Sequence, residues 1–247
     1  MQKTKIEWVR NPDGKQGIVF NPIIGCKNNC YYCYGKELNR RFKWIKDWTK
    51  PENCGEDYYT KSICQIYTIR PKTIFIGSMT DLFGKWIEKE VIEHYLIWTK
   101  ENPQHTFLFL TKDPERYANF KFSRNCWLGA TVNCQKDVWR IDTMRDIENH
   151  NKVFLSIEPL LGKINYSLRK INWVIVGIMT GKYAKQYIPQ KEWVDEVIKQ
   201  AEEYDVPVFV KDNLLKLYPQ YGEYRDIPYT DRRYKLFKET IETGKGR

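Results

Sequence analysis

The chain has 247 residues, 42% of them hydrophobic, and 41 Lys and Arg against 31 Asp and Glu give it a net charge of +10. That length can bury one sizeable core and favours one domain over two, while 29% charged and 15% aromatic residues exclude a disordered chain and a disulfide miniprotein. There is no run of about 18 apolar residues and no apolar leader behind Met1-Gln2-Lys3-Thr4-Lys5, so a cytoplasmic protein with no membrane span is expected, and the basic excess suits a polyanionic partner such as nucleic acid.

Short apolar or β-branched runs alternate with longer amphipathic stretches, the pattern of βα units on a parallel sheet. In chain order the expected strands are Ile18 to Phe20, Thr73 to Gly77, Thr106 to Leu110, Trp127 to Thr131, Lys152 to Ser156, Trp173 to Gly177 and Pro207 to Val210. Helices are expected over Tyr34 to Trp48, Ile87 to Asn102, Pro114 to Phe120, Gln135 to Ile147 and Lys191 to Tyr204. The last places Val194, Val197, Ile198 and Ala201 on one face, and Asp113 and Gln190 read as N-caps, with Pro114 at a first helical position. The fold class is therefore α/β, a partial parallel (β/α)6 barrel with room for an added seventh strand, spanning 1–213. An insertion is expected near 49–69, and 214–247 reads as a basic, Tyr-rich C-terminal extension.

Polar residues follow nearly every strand: Ser78, Thr80 and Asp81; Thr111 and Lys112; Thr131 and Asn133; Ser156 and Glu158; and Thr180. In a parallel barrel these strand ends ring the mouth that holds the active site. Each also suits a helix cap after a strand.

Seven cysteines, an odd number with three inside eight residues, argue against a disulfide framework and for metal or redox chemistry. Asn21-Pro22-Ile23-Ile24-Gly25-Cys26-Lys27-Asn28-Asn29-Cys30-Tyr31-Tyr32-Cys33 sets three thiols at C-x3-C-x2-C directly after the first strand. Three thiolates in one loop suit three corners of an iron–sulfur cubane, with the fourth left open. Zinc is the structural alternative, but no second Cys pair or His-x3–5-His completes a closed site. A redox pair at Cys30 and Cys33 would leave Cys26 unexplained.

With Tyr32 just before the last cysteine, this spacing resembles the signature of radical S-adenosylmethionine (SAM) enzymes. The rest of the chain resembles one branch of them, the small phage-type radical SAM proteins related to spore photoproduct lyase. The segments that carry the likeness are IEW at Ile6 to Trp8, NPIIGC at the cysteines, FIGSMTDLFG at Phe75 to Gly84, LTKDPER at Leu110 to Arg116, WLGATVNCQ at Trp127 to Gln135, FLSIEPLLG at Phe154 to Gly162, WVIVG at Trp173 to Gly177 and VPVFVKD at Val206 to Asp212. Two departures stand out. The branch usually reads GGESG after the sixth strand, where this chain has Gly177-Ile178-Met179-Thr180-Gly181, and near the second strand end, where photoproduct lyases carry a hydrogen-donor cysteine, it has only Met79.

The resemblance implies that Cys26, Cys30 and Cys33 hold a [4Fe–4S] cluster whose fourth iron is chelated by the amino and carboxylate groups of SAM. Reduction would then cleave the sulfonium bond to give a 5′-deoxyadenosyl radical. It places Thr80 and Asp81 near the SAM ammonium, Lys112 at its carboxylate, Thr131 and Asn133 at the ribose, and Tyr32 and Val176 at adenine, with Ser78 and Ser156 as further cofactor-binding residues. Glu158 is the acid expected to contact ribose or substrate or to accept a proton, its rival role being a buried pair with Lys211 or Arg70. Cys134 is the nearest hydrogen-donor candidate by topology, though its position suits a buried structural cysteine better. The implied partners are an external electron donor of flavodoxin or ferredoxin type and a nucleic acid substrate, with no membrane; the need for a partner protein stays open.

His94, His105 and His150 share no ligand spacing and suit surface or helix-end roles. Cys54, Cys64, Cys126 and Cys134 match the count for a second cluster but are scattered. Tyr218, Tyr221, Tyr224, Tyr229 and Tyr234, interleaved with Arg225, Arg232, Arg233 and Lys235, suit either base stacking with phosphate contacts or a tail packed on the barrel. Action on a peptide or small molecule, and a noncatalytic iron–sulfur or zinc protein that binds nucleic acid, are the rival functions.

Overall fold

The apolar runs become strands because β-branched and aromatic side chains fit a pleated surface covered on both faces. The computed structural model describes residues 2–55, 67, 70–147 and 151–230. In chain order these hold β1 (Gln2–Lys3), β2 (Ile18–Phe20), β3 (Ile23–Ile24), α1 (Tyr34–Phe42), β4 (Glu52–Asn53), β5 (Thr73–Ile76), α2 (Lys89–Glu101), β6 (Thr106–Thr111), β7 (Cys126–Thr131), α3 (Trp139–Asp146), β8 (Lys152–Ile157), β9 (Trp173–Val176), α4 (Lys191–Glu203), β10 (Val208–Val210) and α5 (Asp212–Leu215). Short 3-10 turns cover Pro114–Asn119, Gln135–Asp137, Ala184–Gln186 and Pro219–Tyr221.

Strands β2, β5, β6, β7, β8, β9 and β10 pair in parallel in that order, and β1 lies antiparallel on the β2 edge. This is the expected α/β partial barrel, a curled half-barrel in which β10 supplies the seventh parallel strand. Its helix-facing side joins Ile74, Phe107, Leu128, Leu155 and Val174 to Val194, Val197, Ile198 and Ala201, the predicted buried face of α4. The opposite side carries Phe75, Leu108, Trp127, Phe154, Trp173, Ile175 and Phe209, plugged by Trp8, Val9 and Tyr229. Gly129 is required there, because a Cβ on it would sit 2.3 Å from Cζ of Phe154. Among the described residues no helix is long and apolar enough to cross a membrane.

Several local expectations are corrected. The first helix stops at Phe42, not Trp48, because Lys43 turns left-handed at φ 53° and returns its N–H to the Asn39 carbonyl at 2.7 Å. The stretch at Pro114 winds as 3-10, and the one at Gln135 splits into a 3-10 turn and α3. Neither Asp113 nor Gln190 makes a side-chain cap bond.

Part of the expected insertion is structural: β4 pairs antiparallel with β3, tying residues 52–53 to the cysteine loop. Residues 56–66, including Cys64, lie outside the described residues, as do 68–69, 148–150 with His150, and 231–247 with Arg232, Arg233, Tyr234 and Lys235. The described part of the expected extension packs on the barrel instead of standing free. Tyr221 and Tyr229 are buried, the Tyr229 hydroxyl donates to the Trp8 carbonyl, and the Arg225 guanidinium lies 4.4 Å over the Phe209 ring. Tyr218 and Tyr224 also spend their hydroxyls internally, on the Pro189 carbonyl at 2.8 Å and on Glu202. These rings and Arg225 are therefore not a free base-stacking surface.

Candidate active site

The cysteine loop leaves β2 and lies across the mouth formed by the strand ends. Gly25 turns into it at φ 103°, and a Cβ there would meet Ile45, Trp48 and Pro51 within 3.0 Å, so only glycine fits. Its N–H donates to the Met79 carbonyl at 3.1 Å, and Cys26 N–H donates to that of Trp48 at 2.8 Å. Cys26 and Cys33 both pack on Ile45, Trp48 and Met79.

Cys33 caps α1, its sulfur accepting the Lys36 N–H at 3.4 Å where the helix dipole favours negative charge. Burial raises its pKa, opposed by the N–H groups of Lys36 and Gly35. Burial likewise pushes the Cys26 thiol up to about 11, with the N–H groups of Asn28 and Asp81 acting to lower it. Cys30 lies beside the Tyr32 hydroxyl, whose pKa burial raises.

Behind the loop the predicted binding residues form two networks. In the first, the Tyr32 hydroxyl donates to Asn133 Oδ1 at 2.6 Å, and Lys112 Nζ donates to the Tyr32 hydroxyl at 2.6 Å and to Asn133 Oδ1 at 3.0 Å. Asn133 Nδ2 donates to the Pro159 carbonyl at 2.7 Å. Burial lowers the Lys112 pKa. These three residues, each assigned a separate contact from the sequence, are bonded to one another.

The second network centres on Asp81. Its carboxylate accepts Thr111 Oγ1 at 2.7 Å, Lys112 N–H and Asn28 Nδ2 at 2.9 Å, and Phe83 N–H at 3.3 Å. With four donors satisfied, Asp81 ties the cysteine loop to β6 and has little capacity left for a ligand ammonium. Burial raises its pKa. Next to it, Thr80 Oγ1 is buried and makes no hydrogen bond. Ser78 donates to Asn21 Oδ1 at 3.0 Å, which also holds Met79 N–H at 3.1 Å.

Thr131 and Ser156 are cross-strand neighbours, both buried, at the ends of β7 and β8. Val176 is fully buried in the helix-facing layer, and its neighbour Ile175 faces the other side. Glu158 forms an ion pair with Lys211, the first of the two partners considered. Cys134 is half-buried and neighbours Tyr31 of the cysteine loop and Gly162. Cys54 donates to the Asn21 carbonyl at 3.0 Å, Cys126 is buried in the helix-side core, and buried His105 accepts the Lys72 N–H at 3.2 Å. Among the described residues no group of three or more His, Cys, Asp or Glu side chains is arranged to hold a single metal ion.

The sequence missed Asn28, Tyr34, whose hydroxyl donates to the Ser78 carbonyl at 2.6 Å, and Arg140, which holds the Thr131 carbonyl and Asp137 at 2.8 Å each. Only nearness to the cysteines could have singled out the first two, and nothing in the sequence marks the third.

A structure of a spore photoproduct lyase variant, solved with bound AdoMet and dinucleoside spore photoproduct, is similar in fold: TM-score 0.50 at 11% identity, covering 91% of this chain and 64% of that one. This chain thus spans less than two-thirds of that protein's length. No curated protein matches. A family model described as "Protein of unknown function (DUF5131)" matches residues 3–240, nearly the whole chain, including the cysteine loop and every strand end at the mouth, and the chain belongs to that family.

Proposed function

We propose that this chain is a radical SAM enzyme that holds a [4Fe–4S] cluster on Cys26, Cys30 and Cys33, binds SAM at the barrel mouth and acts on a nucleic acid or a nucleotide base. The observation that carries the reading is the donor set. Three thiols lie on one loop at a half-barrel mouth, two of them facing backbone N–H groups, with a partnerless buried hydroxyl at Thr80 beside them. Such N–H donors stabilise the thiolate form and tune iron–sulfur clusters. When bound, the cluster would pass the external donor's electron to SAM, whose C5′–S bond would break to give methionine and a 5′-deoxyadenosyl radical able to take a hydrogen atom from the substrate.

The chain's own residues bind and orient. Thr80 Oγ1 offers an acceptor to the SAM ammonium. Lys112 has one N–H beyond those given to Tyr32 and Asn133 and offers it to the carboxylate. Thr131 and Ser156 present hydroxyl groups on the ribose side. Glu158, held by Lys211, stands ready for ribose or substrate. An external electron donor of flavodoxin or ferredoxin type completes the system. The net charge of +10 supports a polyanionic substrate.

Thr80→Val separates binding from folding. It removes an unpaired buried hydroxyl, so thermal stability is expected to hold or rise, while SAM affinity of the iron-loaded protein falls by about 3- to 10-fold, the worth of one hydrogen bond. Titration calorimetry beside a melting curve checks both.

The activity is tested by loading iron and sulfide anaerobically, reducing, adding SAM and measuring 5′-deoxyadenosine with and without oligonucleotides. Product that rises with an oligonucleotide supports the proposal. Iron-loaded protein that neither binds nor cleaves SAM overturns it in favour of a noncatalytic binding protein.

A further inference from the structure

Several large side chains stand in water around the mouth. Tyr31 on the cysteine loop is 50% exposed, and on the loop after β9 Tyr187 is 40% and Ile188 51% exposed, with Tyr183 beside them also exposed. They are not scattered. Tyr31 is the hub, its ring centroid 5.4 Å from Tyr187, 6.5 Å from Tyr183 and 5.1 Å from Tyr32. The rings meet at 48° to 79°, tilted or edge-to-face and not stacked face to face, and Tyr31, Tyr183 and Tyr187 each keep part of their ring open to solvent.

A contiguous exposed aromatic cluster marks a binding surface where single exposed residues would not. Cations frame this one. Lys182 Nζ sits 5.3 Å over the Tyr183 ring, Lys185 lies in the 3-10 turn that follows, and Lys36 Nζ donates to Asn29 of the cysteine loop at 2.7 Å. Lys182 also lies near Glu37 on α1, whose carboxylate is already held by Arg40. The cluster leads inward, since Tyr31 touches Tyr32, whose hydroxyl is bonded to Lys112 and Asn133.

Exposed ring faces beside lysines are the chemistry that grips single-stranded nucleic acid, the rings stacking bases and the ammonium groups neutralising phosphates. A duplex hides its base faces and gains nothing from such rings, whereas a base taken out of its stack does. We infer that Tyr31, Tyr183 and Tyr187, with Lys182, form a stacking platform that receives an unstacked nucleobase of a single strand at the mouth. This rests on the nucleic-acid reading of the substrate given above.

The test is fluorescence anisotropy on the iron-loaded full chain, using labelled oligo-dU and oligo-U of about 12 nucleotides and a duplex of equal length. The native chain is expected to bind single strands more tightly than duplex, and the tighter of the two single strands identifies the sugar. Tyr183→Ala with Tyr187→Ala is expected to weaken single-strand binding by about 5- to 100-fold, the worth of one stacked base. Phenylalanine at both positions retains most of the affinity, and SAM binding, iron content and melting temperature stay unchanged in both variants. Unchanged affinity in the alanine variant, or a duplex bound as tightly as a single strand, overturns the platform and leaves the nucleic-acid reading standing. A native chain that cleaves SAM but binds no oligonucleotide overturns both.

Discussion

Cys30→Ala is expected to leave a folded chain that retains iron and sulfide only at background and forms no 5′-deoxyadenosine. Cys30 is half-buried, so its loss removes little packing, but it takes away one of only three thiols in the loop. Two thiolates cannot hold a cubane that already leaves one corner to a ligand. Cys33→Ala should do the same and also unsettle the start of α1, whose Lys36 N–H it caps. Cys54→Ser is the control: it keeps a donor toward the Asn21 carbonyl and should not change iron content. Iron and sulfide analysis beside circular dichroism checks all three.

Asp81→Ala is expected to cost about 3 kcal/mol, lowering the melting temperature by roughly 6–12 °C. The carboxylate collects Asn28, Thr111, Lys112 and Phe83, and truncation leaves the buried Thr111 hydroxyl and Phe83 N–H and the half-buried Lys112 N–H with no acceptor, while exposed Asn28 turns to water. The variant should lose both stability and SAM affinity, because the Asn28 tether to the cysteine loop goes with it. Thr80→Val should lose affinity alone. The pair distinguishes a residue that shapes the mouth from one that contacts the ligand.

How far the sequence carried depended on the kind of physics involved. Strands were legible because an apolar run such as Thr106 to Leu110, buried on both faces, has no other stable home. The buried face of α4 was legible because its period is that of a helix. The end of α1 was not, because it depends on Asn39 bonding the backbone of Ile45 in both directions at 3.0 Å, a contact between residues of no special local preference.

At the site, the three cysteines were legible from spacing alone, and the ring of polar strand ends from its repetition. Who bonds whom was not. Asp81 looked like a ligand acceptor, yet its partners come from three separate segments of the chain. Nor was the face of Val176 legible, since one residue of strand parity moves a side chain to the opposite face of the sheet. The exposed aromatic cluster was not legible because Tyr31 and Tyr187 lie far apart in sequence, and only the fold brings their rings to 5.4 Å.

The most direct measurement is electron paramagnetic resonance of the anaerobically loaded and reduced protein, recorded before and after SAM is added, with iron counted per chain. The account predicts about four irons and a spectrum that changes on adding SAM, as it must if the ligand occupies an open corner of a three-thiolate cluster. A chain that retains zinc in place of iron, or a cluster whose spectrum ignores SAM, would contradict it.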